Sequence, residues 1–268
     1  MTWIFPDDTG AAAIADRQLL VDFLSRHHIQ VQGHFEEALK DDEGLAWRYP
    51  AYAVRQFPTH EKLVEKLRLL CESRGTSSND IERNYQNQLV EFHALHALIA
   101  LMGYQFVGWD MPSGKPTADP GKNCDLALMK DGMNVFADAK DCSSEILSQY
   151  EVAHEVKDEI KHVTHYTPKV ELVDWLARWI RDVEKKGADF LVCHVPGWGL
   201  EGFDPRSLRA YLDSILPNVL TWTDNGPRWR VASKSIRQVV IVKRLGCLTI
   251  GLDAKEGAPR AFSAARLY

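Results

Sequence analysis

The sequence is 268 residues long, 45% hydrophobic and 26% charged, with a formal net charge of −5. A chain of that length buries a full core, and this composition is ordinary for a globular protein. The negative balance argues against indiscriminate binding of polyanions but leaves room for a local basic patch. No apolar run approaches the roughly 18 residues that span a bilayer, so no membrane partner is expected. The N-terminus, MTWIFPDDTGAAA, lacks a basic stretch followed by an apolar core. The five cysteines (Cys71, Cys124, Cys142, Cys193, Cys247) are scattered, odd in number and form no CxxC pair. A disulfide framework and a thiolate zinc site are disfavoured, and a cytoplasmic, reducing setting is expected.

Residues 1–80 read as a helical N-terminal region. Apolar residues recur at helical spacing over Ala11 to Ser25 and over Glu61 to Glu72, where Leu63, Leu67 and Leu70 share a face. Between them, Tyr49-Pro50 and Phe57-Pro58 read as breakers. The polar segment Gly75 to Asp80 marks a boundary, and residues 81–268 form the second unit. A long helix is predicted from Ile81 to Met102, capped by Ser78, Asn79 or Asp80 and stopped by Gly103. Tyr104 to Trp109 reads as a strand, followed by a Pro/Gly loop. Two short runs then follow, Cys124 to Met129 and Asn134 to Ala139, joined through Asp131-Gly132, a strong hairpin signal. Helices are predicted over Ser144 to Val163 and over Lys169 to Lys186, the latter with Val173, Leu176, Ile180 and Val183 on one face. Asp189 to Val195 reads as a strand, Pro205 to Leu216 as a helix, and Gln238 to Lys243 with Leu248 to Leu252 as late strands. No internal repeat or low-complexity segment interrupts this order. It predicts an α/β fold: a central mixed sheet of about four or five strands flanked by helices.

A two-residue Asp131-Gly132 turn would set Asp125 directly opposite Asp138, with Cβ atoms roughly 4.5–5.5 Å apart. Lys140, two residues beyond Asp138, points to the same side. Two carboxylates this close repel, and each raises the pKa of the other unless a cation lies between them. A hard divalent ion resolves the conflict, and Mg²⁺ commonly uses one or two carboxylates plus water and phosphate. A neighbouring lysine can orient the attacking water and offset charge on phosphorus oxygens. The opposite side of the ribbon carries Leu126, Leu128, Val135, Ala137 and Ala139, an apolar set suited to a core. The polar side ends in Met129 and Phe136 toward the turn.

The run Asn123-Cys124-Asp125-Leu126-Ala127-Leu128, a short turn, then Val135-Phe136-Ala137-Asp138-Ala139-Lys140 resembles the PD-(D/E)XK nuclease superfamily, the restriction-endonuclease-like fold. Cys124 stands where that pattern often has proline. The resemblance covers residues 91–149. It implies that Glu91, on the helix before the first strand, completes the set, with Leu95, Leu98 and Met102 on the same helical stripe. The implied activity is that of a Mg²⁺-dependent endonuclease, with Mn²⁺ able to substitute. Asp125 and Asp138 would bind the metal, Glu91 would assist a metal or water, and Lys140 would act on the nucleophile. In-line attack by water would leave a 5′-phosphate and a 3′-hydroxyl. DNA is the commoner substrate of such proteins, restriction or anti-phage defence a common setting, and a homodimer suits cutting of both strands. The rival reading is a nuclease-fold protein that binds nucleic acid or serves as a scaffold without cutting.

Other residues compete for roles. Glu82 rivals Glu91, and Glu145 or Gln149 could support Lys140. His93 and His96, one turn apart, suit a metal site less well than a core or helix surface. His154-Glu155 opens like a zinc-protease helix, but Asp158 stands where the second histidine is required. Arg228, Arg230, Lys234, Arg237, Lys243 and Arg244 form the densest basic stretch, and Lys115 and Lys122 flank the Asp125 strand. All are candidates for nucleic-acid backbone contact, with a solvated surface as the alternative. Trp175 and Trp179 read as core or subunit interface rather than base-stacking platforms.

Overall fold

The structure, a computed structural model, describes residues 10–41, 46–116, 118–141, 147–156, 159–168, 179, 182–194, 238–243, 246–251 and 260–263. The helical region comprises α1 (Gly10–Arg26), α2 (Gly33–Lys40), α3 (Arg48–Gln56) and α4 (Leu63–Cys71). Pro50 lies in the first turn of α3 and does not break it. Proline is tolerated there because a first-turn N–H has no intrahelical acceptor to lose. Helix α5 (Ser78–His96) starts three residues before the predicted Ile81, and its N-cap is Ser77, one residue before the first predicted cap, with the Ser77 hydroxyl accepting from Asp80 N. The helix runs on into a π-helical turn over Ala97–Leu101, and the chain leaves it at Gly103, whose φ of +74° suits glycine.

The main sheet is built from β1 (Gln105–Met111), β2 (Cys124–Lys130), β3 (Met133–Asp141), β6 (Phe190–His194), β7 (Gln238–Lys243), β8 (Gly246–Gly251) and β9 (Arg260–Ser263). Their spatial order is β1-β2-β3-β6-β7-β8-β9. The first three strands run antiparallel, β6 and β7 add parallel to β3, and β8 and β9 return antiparallel. The fold is therefore a mixed sheet with helices against it, with seven strands among the described residues instead of the expected four or five. Helix α5 lies against β2, β3 and β6, and α3 and α4 lie against α5. One hydrophobic cluster runs from Leu20 on α1 through Leu95 and Leu98 to Leu126, Leu128, Ala137 and Ala139 on the ribbon. The apolar side of the hairpin is thus the side that faces the helices.

One stretch departs from expectation. The helix predicted over Ser144 to Val163 is replaced by β4 (Leu147–Val156) and β5 (Glu159–Pro168), which pair antiparallel from Leu147↔Pro168 to Val156↔Glu159 as a separate two-stranded sheet. Tyr150, Val152, Val156, Ile160, Val163, Thr164, Tyr166 and Thr167 make these runs rich in β-branched and aromatic residues, which favour strand over helix. Of the next predicted helix, Trp179 and Asp182 to Glu184 are helical, and Val183 is fully buried. Val173, Leu176 and Ile180 lie outside the described residues, as does the helix predicted over Pro205 to Leu216.

Candidate active site

The ribbon of β2 and β3 carries the site, and its turn fixes the register. Asp131 and Gly132 adopt φ values of +52° and +74°, as the primed two-residue turn requires. Lys130 faces Met133 and Leu126 faces Ala137. Continued by one pair, that register places Asp125 opposite Asp138. Asp125 Oδ2 accepts a hydrogen bond from Ala139 N at 2.8 Å. Asp138 Oδ2 lies 2.7 Å from Lys140 Nζ, so the predicted trio converges on one side. Lys140 Nζ also stands 5.7 Å from the centre of the Trp179 ring, a contact that the core or interface reading of Trp179 did not anticipate.

A fourth residue joins them. Lys186 Nζ bonds Asp138 Oδ1 and stands 3.4 Å from Asp125 Oδ1, bridging the two carboxylates. Nothing in the sequence singled it out beyond its place at the end of a predicted helix. Its position depends on a tertiary clamp: the Lys186 carbonyl accepts from Ser113 Oγ at 2.9 Å and from Cys124 Sγ at 3.3 Å. Burial, with Asp138 next in weight, pushes the Cys124 thiol up to about 12, so it stays protonated and able to donate.

The site polarises its two acids in opposite directions. Burial and the Asp138 charge raise the Asp125 carboxyl above its ordinary range, against the pull of Lys140 and Lys186. Burial pushes Asp138 the same way, but Lys140 and Lys186 together outweigh it and hold this carboxyl below the usual range. The Asp138 side chain has 0% exposure and that of Asp125 16%, while Lys140 keeps 20% and Lys186 22%. The anions are therefore inside and the cations reach toward solvent.

Glu91 is buried, as an inward-facing helical acid should be, whereas its rival Glu82 is exposed. Its carboxylate, however, is directed to Lys66, with Glu91 Oε2 2.6 Å from Lys66 Nζ, and Lys66 also binds Asp110 Oδ1 at 2.8 Å. Burial, reinforced by Asp125, pushes Glu91 up to about 8 in spite of Lys66. Lys115 is likewise engaged: its ammonium sits 2.7 Å from Asp189 Oδ1, while Asp189 Oδ2 accepts from Phe136 N at 3.0 Å and ties β3 to the start of β6. Lys122 is exposed in the loop before β2. Gln149 lies on β4 opposite Tyr166, not on a helix. Glu145, Arg228, Arg230, Lys234, Arg237 and Arg244 lie outside the described residues, as does Trp175. His93 stacks on Tyr49 with ring centres 4.0 Å apart, and His96 meets Tyr52 edge-on at 4.8 Å, which places both in the aromatic core between α3 and α5.

Among the described residues, no group of three or more His, Cys, Asp or Glu side chains stands close enough together to hold a metal ion. Asp125 and Asp138 fit a hard divalent cation by donor type, as one partly buried and one fully buried carboxylate that already share one positive charge. Such an ion commonly completes its shell with water and phosphate oxygens, so two protein ligands suffice. No helix among the described residues is long and apolar enough to cross a membrane. Comparisons with protein-family models, with curated proteins and with solved structures find no significant match to this chain.

Proposed function

We propose that the chain is a metal-dependent endonuclease of restriction-endonuclease-like fold that hydrolyses phosphodiester bonds of nucleic acid, DNA in the first instance. One observation carries this reading: Asp125, Asp138 and Lys140 converge on one side of a ribbon whose register brings the two carboxylates to a shared cation. The order of β1, β2, β3 and β6, an antiparallel meander extended by a parallel strand, supports the same fold reading.

In this reading Asp125 and Asp138 would hold Mg²⁺ or Mn²⁺, which would supply positive charge at the scissile phosphate. Asp138, which Lys140 and Lys186 hold below the usual carboxylate range, is anionic and so available as a ligand. The Ala139 amide fixes one oxygen of Asp125, leaving the other to face the shared cation. Lys140 donates to the attacking water or to a phosphate oxygen, and its contact with Asp138 Oδ2 orients it for either. Glu91 acts as a positioning residue and not as a ligand, because its carboxyl group is bound to Lys66. A homodimer acting in restriction or anti-phage defence in the cytoplasm completes the proposal.

The test incubates the purified chain with plasmid and with single-stranded DNA and RNA, in Mg²⁺, Mn²⁺ or EDTA. Cutting that needs metal and falls by about 10²–10⁴-fold in Lys140→Ala and in Asp138→Asn is the expected result. A second reading has its own support: Lys140 and Lys186 already neutralise both aspartates, as suits a nuclease-fold protein that binds nucleic acid without cutting. Retained binding with no cleavage in any metal decides for that reading.

A further inference from the structure

The proposed metal site and the side chain of Lys186 compete for the same two oxygens. Asp125 Oδ1 and Asp138 Oδ1 both face Lys186 Nζ, whereas Lys140 reaches the other oxygen of Asp138. An ammonium that donates to both inner oxygens leaves no room for a divalent ion on them. The placement of Lys186 is built, not incidental. Its carbonyl takes bonds from Ser113 and Cys124, and its amide donates to Val183 O at 3.0 Å. The preceding carbonyl, of Lys185, accepts from Asp119 N at 2.7 Å. Gly187 follows with φ +71°, and a Cβ there would stand 2.3 Å from Ser113 Oγ, so only glycine lets the turn close on this loop. The backbone is clamped while the side chain remains 22% exposed, so the ammonium can swing outward without unfolding its turn.

We infer that Lys186 is an internal counter-cation for the Asp125–Asp138 pair, one that a divalent ion must displace, so that this residue sets the metal affinity of the site. The inference rests on the nuclease reading for the identity of the competing ion. Without metal, Lys186 screens two facing anions that would otherwise repel. With metal, the released ammonium stands beside the site as a donor for a phosphate oxygen, available only when the metal is present. The exchange trades one cation for another, so the carboxylates never stand unneutralised.

Mn²⁺ titration by calorimetry, on the full chain without nucleic acid, tests this directly. Lys186→Met is expected to bind Mn²⁺ about 10-fold or more tightly than the unsubstituted chain, since a competing charge at contact distance is removed. Lys185→Met is the control for loss of a nearby positive charge, because Lys185 is 59% exposed and pairs with Asp182 instead. It is expected to change affinity by less than about 3-fold. Should Lys186→Met misfold, the unsubstituted chain still answers. Acylation of Lys186 by an amine-reactive ester, followed by peptide mass spectrometry, is expected to speed up on addition of Mn²⁺. Equal Mn²⁺ affinity in Lys186→Met, or an acylation rate indifferent to Mn²⁺ that is nonetheless bound, overturns the exchange and leaves the nuclease reading standing. Absence of Mn²⁺ binding in every variant overturns both.

Discussion

Lys66 and Lys186 each bridge two carboxylates, yet their surroundings differ. Lys66 joins α4 to Glu91 on α5 and Asp110 on β1, with only 7% of its side chain exposed. Asp110 takes a second contact from Lys62 Nζ at 3.2 Å and holds a left-handed φ of +52°, a conformation costly for a residue other than glycine. Lys186 sits at the open end of the ribbon, three times as exposed, and shares Asp138 with a second lysine. The first cluster is a strut between helices and sheet. The second is a charge pair with an exit to solvent. What separates structure from chemistry here is not the presence of buried ions but whether the cation can leave.

Substitution tests that contrast, and the largest expected effect on stability is at the strut. Lys66→Met strips the buried Glu91 of its cation, while Asp110, 29% exposed, keeps Lys62, and is expected to cost about 3 kcal/mol in denaturant unfolding. Lys186→Met, with Lys140 still beside Asp138 and more solvent at hand, should cost less, about 1–2 kcal/mol. Equal losses would erase the distinction. A separate effect concerns pH. Glu91 is raised to about 8 in the folded chain, above the ordinary glutamate value, so the folded state holds a proton that the unfolded state releases. Stability therefore falls as pH rises through the window from the ordinary value to about 8, by at most about 1.4 kcal/mol per unit from this group, and levels off above it. Glu91→Gln should remove that part of the slope, read as the difference between the two unfolding profiles across pH 5–8. A comparable effect is expected at the clamp. Gly187→Ala places a methyl against Ser113 at a positive φ and should destabilise by about 1–2 kcal/mol.

The parts of this molecule that were legible from sequence are those governed by neighbours along the chain. Asp131-Gly132 announced its turn, the turn dictated the pairing, and the pairing brought Asp125 to Asp138 and Lys140. The apolar stripes of α4 and α5 announced helices that pack together. Illegible were the contacts closed across distance. Lys66 meets partners 25 and 44 residues away, and Lys186 meets Asp138 at a separation of 48. No local pattern encodes which of many lysines will be clamped, since that depends on Ser113 and Cys124 meeting one carbonyl. The β4–β5 hairpin was missed for a different reason. Its apolar residues are spaced loosely enough to suit a helical stripe, and the β-branched and aromatic content, which favours strands, had to decide.

The short turn between β2 and β3 also orders events in time. A hairpin with two-residue closure forms in roughly microseconds, whereas partners far along the chain arrive only as the sheet assembles. The ribbon thus brings its acids face to face before Lys186 is in place, with Lys140 as the sole local counter-charge. The closing of the turn before β6, which carries Lys186, then supplies the second counter-charge.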